Sequence, residues 1–291
     1  MPVELIDTHV HIWNLDKASY PWLENDVSIL HQTYQLKNLE KERQLTAVTG
    51  GILVQAAGNF EDTDCMLAVA EKTEWIKAVV GWLPLMDPFA TQKSWNEKYA
   101  LNPYFKAVRH QIHDEPKTDW LMQEHVLESL QFLSEKKLPF DLVGIKTAHI
   151  ETALQVAEKL PELKMVFDHL NQPPIQQKEK FGKWGELMKV AAEHPAFYAK
   201  ISGLGTTASN ANYTKEDLLP YIEFVLTHFG TDRCFCGGDW PVSLLAGSYS
   251  RTWKIYQEAI EHLLGEDEAE KIYATNAKIF YQLNPPTTSC N

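Results

Sequence analysis

Short apolar runs, rich in β-branched and aromatic residues, alternate with amphipathic stretches from one end of the chain to the other. Runs of this kind are typical of buried strands, whereas apolar positions spaced three and four apart are typical of helices that pack on a sheet. Eight runs predict strands, at 3–12, 51–55, 76–83, 105–112, 140–145, 164–168, 197–202 and 233–237. Helices are predicted at 62–73, 119–135, 150–160, 183–194, 215–228, 250–264 and 267–281.

Eight consecutive strand-then-helix units predict an α/β protein with a (β/α)₈ TIM barrel. We expect a single domain over 1–284, followed by a disordered tail at 285–291 that contains two prolines and small polar residues. A doubly wound sheet is the alternative, but no Gly-rich phosphate loop follows the first strand. The segment 85–104 is predicted to be a long loop after the third strand.

Composition narrows the range of partners. The chain has 291 residues, 44% of them hydrophobic, which is enough for the core of one large domain. Its net charge of −12 argues against nucleic acid or an anionic membrane as a partner. It shows neither a signal-peptide pattern nor an apolar run of about 18–20 residues. The four cysteines lack the spacing of a disulfide framework. We therefore expect a cytoplasmic protein with a small-molecule substrate, and leave open whether it forms a homo-oligomer.

The first predicted strand carries two histidines one residue apart. Alternate residues of a strand share a face, so His9 and His11 should project side by side. Two imidazoles aimed at one point make half of a metal site or half of an acid/base site. The alternative is a pair of buried histidines with structural hydrogen bonds.

Polar and aromatic side chains also end or follow most of the other predicted strands. In a barrel these ends form the catalytic face. The residues are Trp13, Gln55, Trp82, Arg109, His110, His113, His169, Lys200, Ser202, Asp239 and Trp240. Each has a structural alternative: Asp239 after two glycines suits a turn, His169 suits a core position, and the tryptophans suit packing. Arg109 could pair with a structural carboxylate and Lys200 could extend to the rim.

Four segments together resemble the amidohydrolase superfamily. They are Ile-Asp-Thr-His-Val-His-Ile-Trp at 6–13, Val-Phe-Asp-His-Leu-Asn-Gln-Pro at 166–173, Ala-Lys-Ile-Ser-Gly-Leu at 199–204, and Gly-Gly-Asp-Trp-Pro at 237–241. The resemblance is closest to the amidohydrolase 2 branch, which includes sugar lactonases for fucono- and rhamnonolactones and dicarboxylate lactonases. It implies a barrel in which Asp239 is the general base. His9, His11 and His169 would bind a divalent metal or polarise a lactone carbonyl.

The chain departs from the wider superfamily in two places. The fourth strand has Arg109 and His110 but no lysine or glutamate at the bridging position, and the fifth, 140–145, has no histidine. The resemblance therefore implies at most one metal, zinc being the first candidate. Its ligands would be His9, His11, His169 and Asp239, and whether catalysis needs the metal stays open.

Hydrolysis of an ester needs a water, a base and positive charge where the oxyanion forms. A lactone opens more easily than an amide, so a weakened electrophile favours a lactonase acting on a sugar-derived lactone. The catalytic residues are predicted to be Asp239, His169, Arg109 and Lys200, and the substrate-binding residues Trp13, Gln55, Trp82, His113 and Trp240. The alternatives are a zinc-dependent decarboxylase or dicarboxylate lactonase of aromatic-acid catabolism, and a non-catalytic barrel.

Overall fold

Eight parallel strands, hydrogen-bonded in chain order, form the centre of the protein in a computed structural model that describes residues 4–209 and 211–283. Nearly every strand lies within a run that the sequence predicts, which confirms the (β/α)₈ barrel. The strands are β1 (Ile6–Val10), β2 (Gly50–Val54), β3 (Ile76–Gly81), β4 (Phe105–His110), β5 (Phe140–Leu142), β6 (Met165–Phe167), β7 (Phe197–Ile201) and β8 (Cys234–Cys236). The predicted tail 285–291 lies outside the described residues, and the domain limits 1–284 stay a prediction.

Helices alternate with the strands along the chain. They are α1 (Leu36–Arg43), α2 (Phe60–Ala70), α3 (Pro88–Ser94), α4 (Glu124–Glu135), α5 (Thr147–Lys159), α6 (Gly182–Glu193), α7 (Leu204–Thr207), α8 (Lys215–Phe229), α9 (Tyr249–Leu263), α10 (Glu266–Glu270) and α11 (Asn276–Phe280). A π-helical turn, Lys271–Thr275, joins α10 to α11. Within the described part of the chain, every helix falls short of the length and apolarity that crossing a membrane requires.

The prediction of a long loop at 85–104 is wrong, because α3 lies there and continues as a π-helical turn, Trp95–Tyr99. The side chain of Asp87 accepts a hydrogen bond from the backbone N–H of Ala90, and Pro88 occupies the first helical position. Both are standard signals for the start of a helix. The sequence pattern does not predict α1 either, because its residues are mostly polar and give little apolar periodicity.

The interior of the barrel is filled from the end where the strands begin. Inward-facing side chains such as Ile6, Val166 and Phe235 pack against Phe280 and Tyr281 at the end of α11. The ring centroids of Phe235 and Phe280 lie 5.4 Å apart. This plug closes one end of the barrel, so the opposite end, where the strands finish, is the end left for a site.

The barrel closes between its first and last strands, at a junction called here the seam. β1 and β8 meet through one isolated parallel bridge, Val10 with Trp240, instead of a ladder. Two backbone hydrogen bonds span it: His11 N–H donates to Trp240 O at 2.7 Å, and Asp239 N–H donates to His9 O at 2.8 Å. The seam thus brings the two histidines of β1 beside the aspartate that follows β8.

Candidate active site

A cavity of about 370 Å³ opens where the strands end. This volume lies at the lower end of the range for small-molecule sites. Its lining comes from the segments that follow several different strands, as in other barrel sites. The lining residues are His11, Trp13, Trp22, Ala56, Arg109, Gln111, His113, Val143, Ile145, His169, Gln172, Gly203, Thr206, Asp239 and Val242.

Three imidazoles converge on one carboxylate oxygen at the floor of this cavity. Asp239 Oδ1 lies 3.8 Å from His9 Nε2, 3.5 Å from His11 Nε2 and 3.9 Å from His169 Nε2. The Nε2 atoms of His9 and His11 are 3.1 Å apart. The structure thus brings together the four residues, here called the His/Asp cluster, that the sequence predicts as metal ligands.

The geometry of the cluster suits one divalent metal. His11 Nδ1 lies 2.8 Å from the carbonyl oxygen of Val54, which can only accept, so Nδ1 carries the hydrogen and Nε2 presents a lone pair. Suitable atoms of His9, His169 and Asp239 lie within 4.8 Å of one another. Ligand atoms around a tetrahedral zinc ion at 2.0–2.1 Å are about 3.3 Å apart, so the widest pair would have to close by about 1.5 Å to complete a site. Nitrogen and carboxylate donors are the set that such a metal prefers.

Burial sets the charge state of the cluster. It lowers the pKa of His9 well below the usual value, lowers that of His11 to about 3 with the help of the Arg109 cation, and lowers the pKa of His169. Burial raises the pKa of Asp239. The imidazoles are therefore neutral near pH 7, which is the form that binds a metal or accepts a proton.

A buried ionic network lies behind His9. Lys200 Nζ is 2.6 Å from Asp141 Oδ2, 2.7 Å from Asp168 Oδ1 and 3.4 Å from His9 Nδ1. Arg109 NH1 donates to Asp168 Oδ2 at 3.2 Å and lies 3.2 Å from His9 Nε2. Burial alone would raise the pKa of Asp168, but Lys200, His9 and Arg109 together outweigh burial and hold this pKa well below its usual range.

Lys200 does not line the cavity, although the sequence predicts a catalytic role for it. Its side chain is fully buried between the barrel plug and His9, with Nζ 5.6 Å from the centroid of the Tyr281 ring. A lysine without solvent needs carboxylate partners, and Asp141 and Asp168 supply them. Arg109, by contrast, reaches the cavity.

The backbone around His169 and Asp239 is left-handed. Residues 169–172 have φ between 50° and 54°, and Asp239 has φ 55°. Gly203, with φ 59°, passes so close that an added Cβ would lie 2.5 Å from His169 Nδ1 and 2.9 Å from Asp239 Oδ2. Only glycine fits there without displacing both side chains.

Two of the predicted substrate-binding residues, Trp13 and His113, line the cavity. The other three do not appear in its wall. Gln55 is fully buried and hydrogen-bonded to Arg109, and Trp82 Nε1 donates to His110 Nδ1 at 3.1 Å. Trp240 is 1% exposed and meets the ring of Tyr34 edge-on at 5.3 Å. These three side chains are held by neighbouring residues and lie outside the cavity wall, so a contact between them and substrate stays a prediction.

Several residues of the cavity were not predicted from the sequence. Arg109, Gln111 and His113 are spaced by two, so the alternation that paired His9 with His11 could have identified Gln111. Trp22 lies in a single 3₁₀-helical turn, Pro21–Leu23, and its Nε1 donates a hydrogen bond to Ala56 O at 2.8 Å. No pattern in the sequence marks that contact.

Replacing Trp240 with alanine is expected to lower the free energy of unfolding by about 3–5 kcal/mol, as is typical of large buried aromatic side chains. The physical reason is the cavity left beside Tyr34 at the seam. Urea unfolding followed by circular dichroism measures this loss. A variant of unchanged stability that weakens only substrate binding would restore the ligand-contacting role.

Known proteins resemble this chain over most of its length. The sequence profile of the amidohydrolase family matches residues 6–283. L-fucono-1,5-lactonase from Burkholderia ambifaria is 29% identical over 288 residues, which cover 97% of both chains. L-rhamnono-gamma-lactonase from Scheffersomyces stipitis is 26% identical over 61% of this chain and 59% of its own length.

A solved structure shows the same architecture. An amidohydrolase from Burkholderia multivorans, crystallised with bound zinc, superposes with a TM-score of 0.86 at 25% identity, and the match covers 97% of this chain and all of that one. The family profile spans nearly the whole chain, including the four segments that carry the resemblance. The chain therefore belongs to the amidohydrolase family.

Proposed function

We propose that the protein is a lactonase that opens a neutral, sugar-derived lactone to the hydroxy acid. The observation that carries this proposal is the convergence of three neutral imidazoles on Asp239 at the floor of a cavity of monosaccharide size. The similarity to two sugar lactonases supports it. From these two relatives we take only the chemical class of the proposed substrate, a sugar-derived lactone.

In the proposed reaction Asp239 takes a proton from water as the water oxygen attacks the lactone carbonyl. The ring C–O bond then breaks, and the proton passes to the leaving alkoxide. His9, His11 and His169 would hold one divalent metal, zinc being the first candidate, and when bound it supplies Lewis-acid polarisation of the carbonyl. Arg109, fixed beside His9, contributes a permanent positive charge toward the developing oxyanion.

The charges around the cavity favour a neutral substrate over a dicarboxylate. Apart from its histidines, Arg109 and Asp239 are the two ionisable side chains among its described lining residues, and Arg109 is already paired with Asp168. A substrate carboxylate would find no uncommitted cation there, and burying an unpaired charge is unfavourable. Amide and hydroxyl groups suited to sugar hydroxyls are supplied by Gln111, Gln172 and Thr206.

A panel of 1,4- and 1,5-aldonolactones, with acid release followed by a pH indicator, tests the proposal. We expect at least one lactone to be opened at a rate well above that of buffer, and a lactone with two carboxylates to be a poor substrate. Folded protein that opens none of the panel would contradict the proposal.

Removal of metal with a chelator separates the proposal from the decarboxylase alternative. We expect at most one metal ion per chain by elemental analysis, and some lactone opening to survive removal of the metal because Asp239 and Arg109 remain. Decarboxylation of an aromatic acid that disappears on chelation and returns with zinc would favour the alternative.

A further inference from the structure

Three side chains form a chain of hydrogen bonds that ends at the cavity wall. Arg109 Nε donates to Gln55 Oε1 at 3.1 Å, and Gln55 Nε2 donates to Gln111 Oε1 at 3.2 Å. Arg109 and Gln55 are buried, whereas Gln111 is half-buried and lines the cavity. Arg109 is itself fixed, since NH2 donates to the backbone oxygen of Gln55 and NH1 donates to Asp168. We call this chain the amide relay.

The order of donors in the amide relay follows from its first member. A guanidinium carries only donors and keeps its charge at every ordinary pH, so the atom of Gln55 that faces Arg109 Nε must be the amide oxygen. The amide nitrogen of Gln55 therefore faces Gln111, and the atom that it meets must again be oxygen. Gln111 Nε2 is left with no hydrogen-bond partner in the described chain, on a side chain that lines the cavity.

We propose that Gln111 binds substrate by donating a hydrogen bond from Nε2 to a hydroxyl oxygen of the sugar lactone, and that Arg109 and Gln55 fix this polarity. The identity of the ligand rests on the proposed lactonase function, whereas the direction of the relay does not. In this proposal Gln55 positions Gln111, whereas the sequence predicts that Gln55 itself contacts the substrate. A site that presents a fixed donor discriminates against a lactone that lacks the matching acceptor.

The first test compares Gln111→Leu with wild type on the best lactone of the panel and on its monodeoxy derivatives. A neutral hydrogen bond is worth roughly 5- to 10-fold in binding. We expect kcat/KM for the parent lactone to fall by about that factor, mainly through KM, and that for one monodeoxy lactone to stay unchanged. An equal fall for the parent and every monodeoxy lactone would overturn the contact.

The second test reverses the relay. In Gln55→Glu both carboxylate oxygens accept, so Arg109 Nε donates to one and Gln111 Nε2 turns to donate to the other. Gln111 then presents Oε1, an acceptor, to the cavity. A substrate hydroxyl can still donate to it, but fluorine at the same position cannot. We expect the ratio of kcat/KM for the hydroxy lactone over the fluoro lactone to rise by roughly 5- to 10-fold.

The effect of the new charge on Arg109 cancels within the ratio, because both lactones meet the same enzyme. The effect of fluorine on the carbonyl cancels when the ratio is compared between wild type and Gln55→Glu, because it is the same in both enzymes. The effect of Gln55→Glu on the ratio should vanish in a Gln111→Leu background. It should persist in a Gln172→Leu background, the matched control, because Gln172 lines the same cavity without a hydrogen bond to Gln55. A ratio that Gln55→Glu leaves unchanged in the wild-type background contradicts the relay.

A measurement without substrate separates failure of the relay from failure of the proposed function. The side-chain amide protons of Gln111, assigned by their absence in Gln111→Leu, should exchange readily with water in the wild-type protein. They should be protected in Gln55→Glu, where Nε2 donates to the carboxylate. Protection in wild type that is lost in Gln55→Glu would overturn the relay, whether or not any lactone is opened.

Discussion

Replacing Asp239 with asparagine is expected to reduce kcat for lactone opening by about 10²–10⁴-fold with little change in stability, because the base is lost. Asparagine has nearly the same shape and tolerates the left-handed backbone at this position, with φ 55°. The backbone bond from residue 239 to His9 O also remains. Steady-state kinetics on the best lactone, beside a thermal melt, measures both quantities.

The matched control for this substitution is Asp232→Asn, which changes an aspartate whose side chain is 79% exposed. We expect the control to retain wild-type kinetics. If Asp239→Asn were folded and nearly as active as wild type, Asp239 would have to be withdrawn as the base, and the His/Asp cluster would then act by binding alone.

Replacing Lys200 with methionine should lower the free energy of unfolding by about 3–5 kcal/mol, because two buried carboxylates, Asp141 and Asp168, lose their shared cation. Methionine keeps most of the side-chain volume, so packing changes little. Urea unfolding at pH 8 gives the loss. The control, Lys254→Met, removes a lysine that is 76% exposed and should change stability by less than about 0.5 kcal/mol.

The loss caused by Lys200→Met should shrink as the pH falls. Burial already raises the pKa of Asp141 to about 6 in the wild-type protein, and removing the cation raises it further. A carboxyl group whose pKa is higher in the folded than in the unfolded state binds more protons when the protein is folded. The free energy of unfolding therefore rises as the pH falls through the folded-state pKa. The free energy of unfolding of the variant should therefore lie closer to that of wild type at pH 5.5 than at pH 8. An equal deficit at both values would show that the carboxyls do not take up the proton.

The sequence was sufficient for the barrel because each strand is a short apolar run bounded by polar residues, and eight such runs allow few arrangements. It was also sufficient for the proximity of His9, His11, His169 and Asp239, since the ends of parallel strands meet at one face. This is the same rule that suggested Lys200, which the structure instead places deeper in the barrel. Alternation along a strand gives the face of a side chain but not its depth along the barrel axis.

The positions of Trp82 and Trp240 could not be predicted for a different reason. Each follows a strand end, but its direction depends on partners far away in sequence, His110 for Trp82 and Tyr34 for Trp240. Tyr34 lies in the irregular segment before α1, whose course no local pattern fixes. Trp22 lies in a single 3₁₀-helical turn of the same stretch of chain, and so short an element has no periodic pattern that would predict it.

The seam has a consequence for how the protein loses activity on heating. Parting β1 from β8 breaks the two backbone hydrogen bonds of a single bridge, whereas parting other neighbouring strands breaks a ladder. The seam is therefore where a partial opening of the barrel meets least resistance from the backbone. Any such opening separates His9 and His11 from Asp239. The useful lifetime of the protein at high temperature is therefore tied to a local fluctuation, and a ligand that bridges the seam lengthens this lifetime by holding the two strands together.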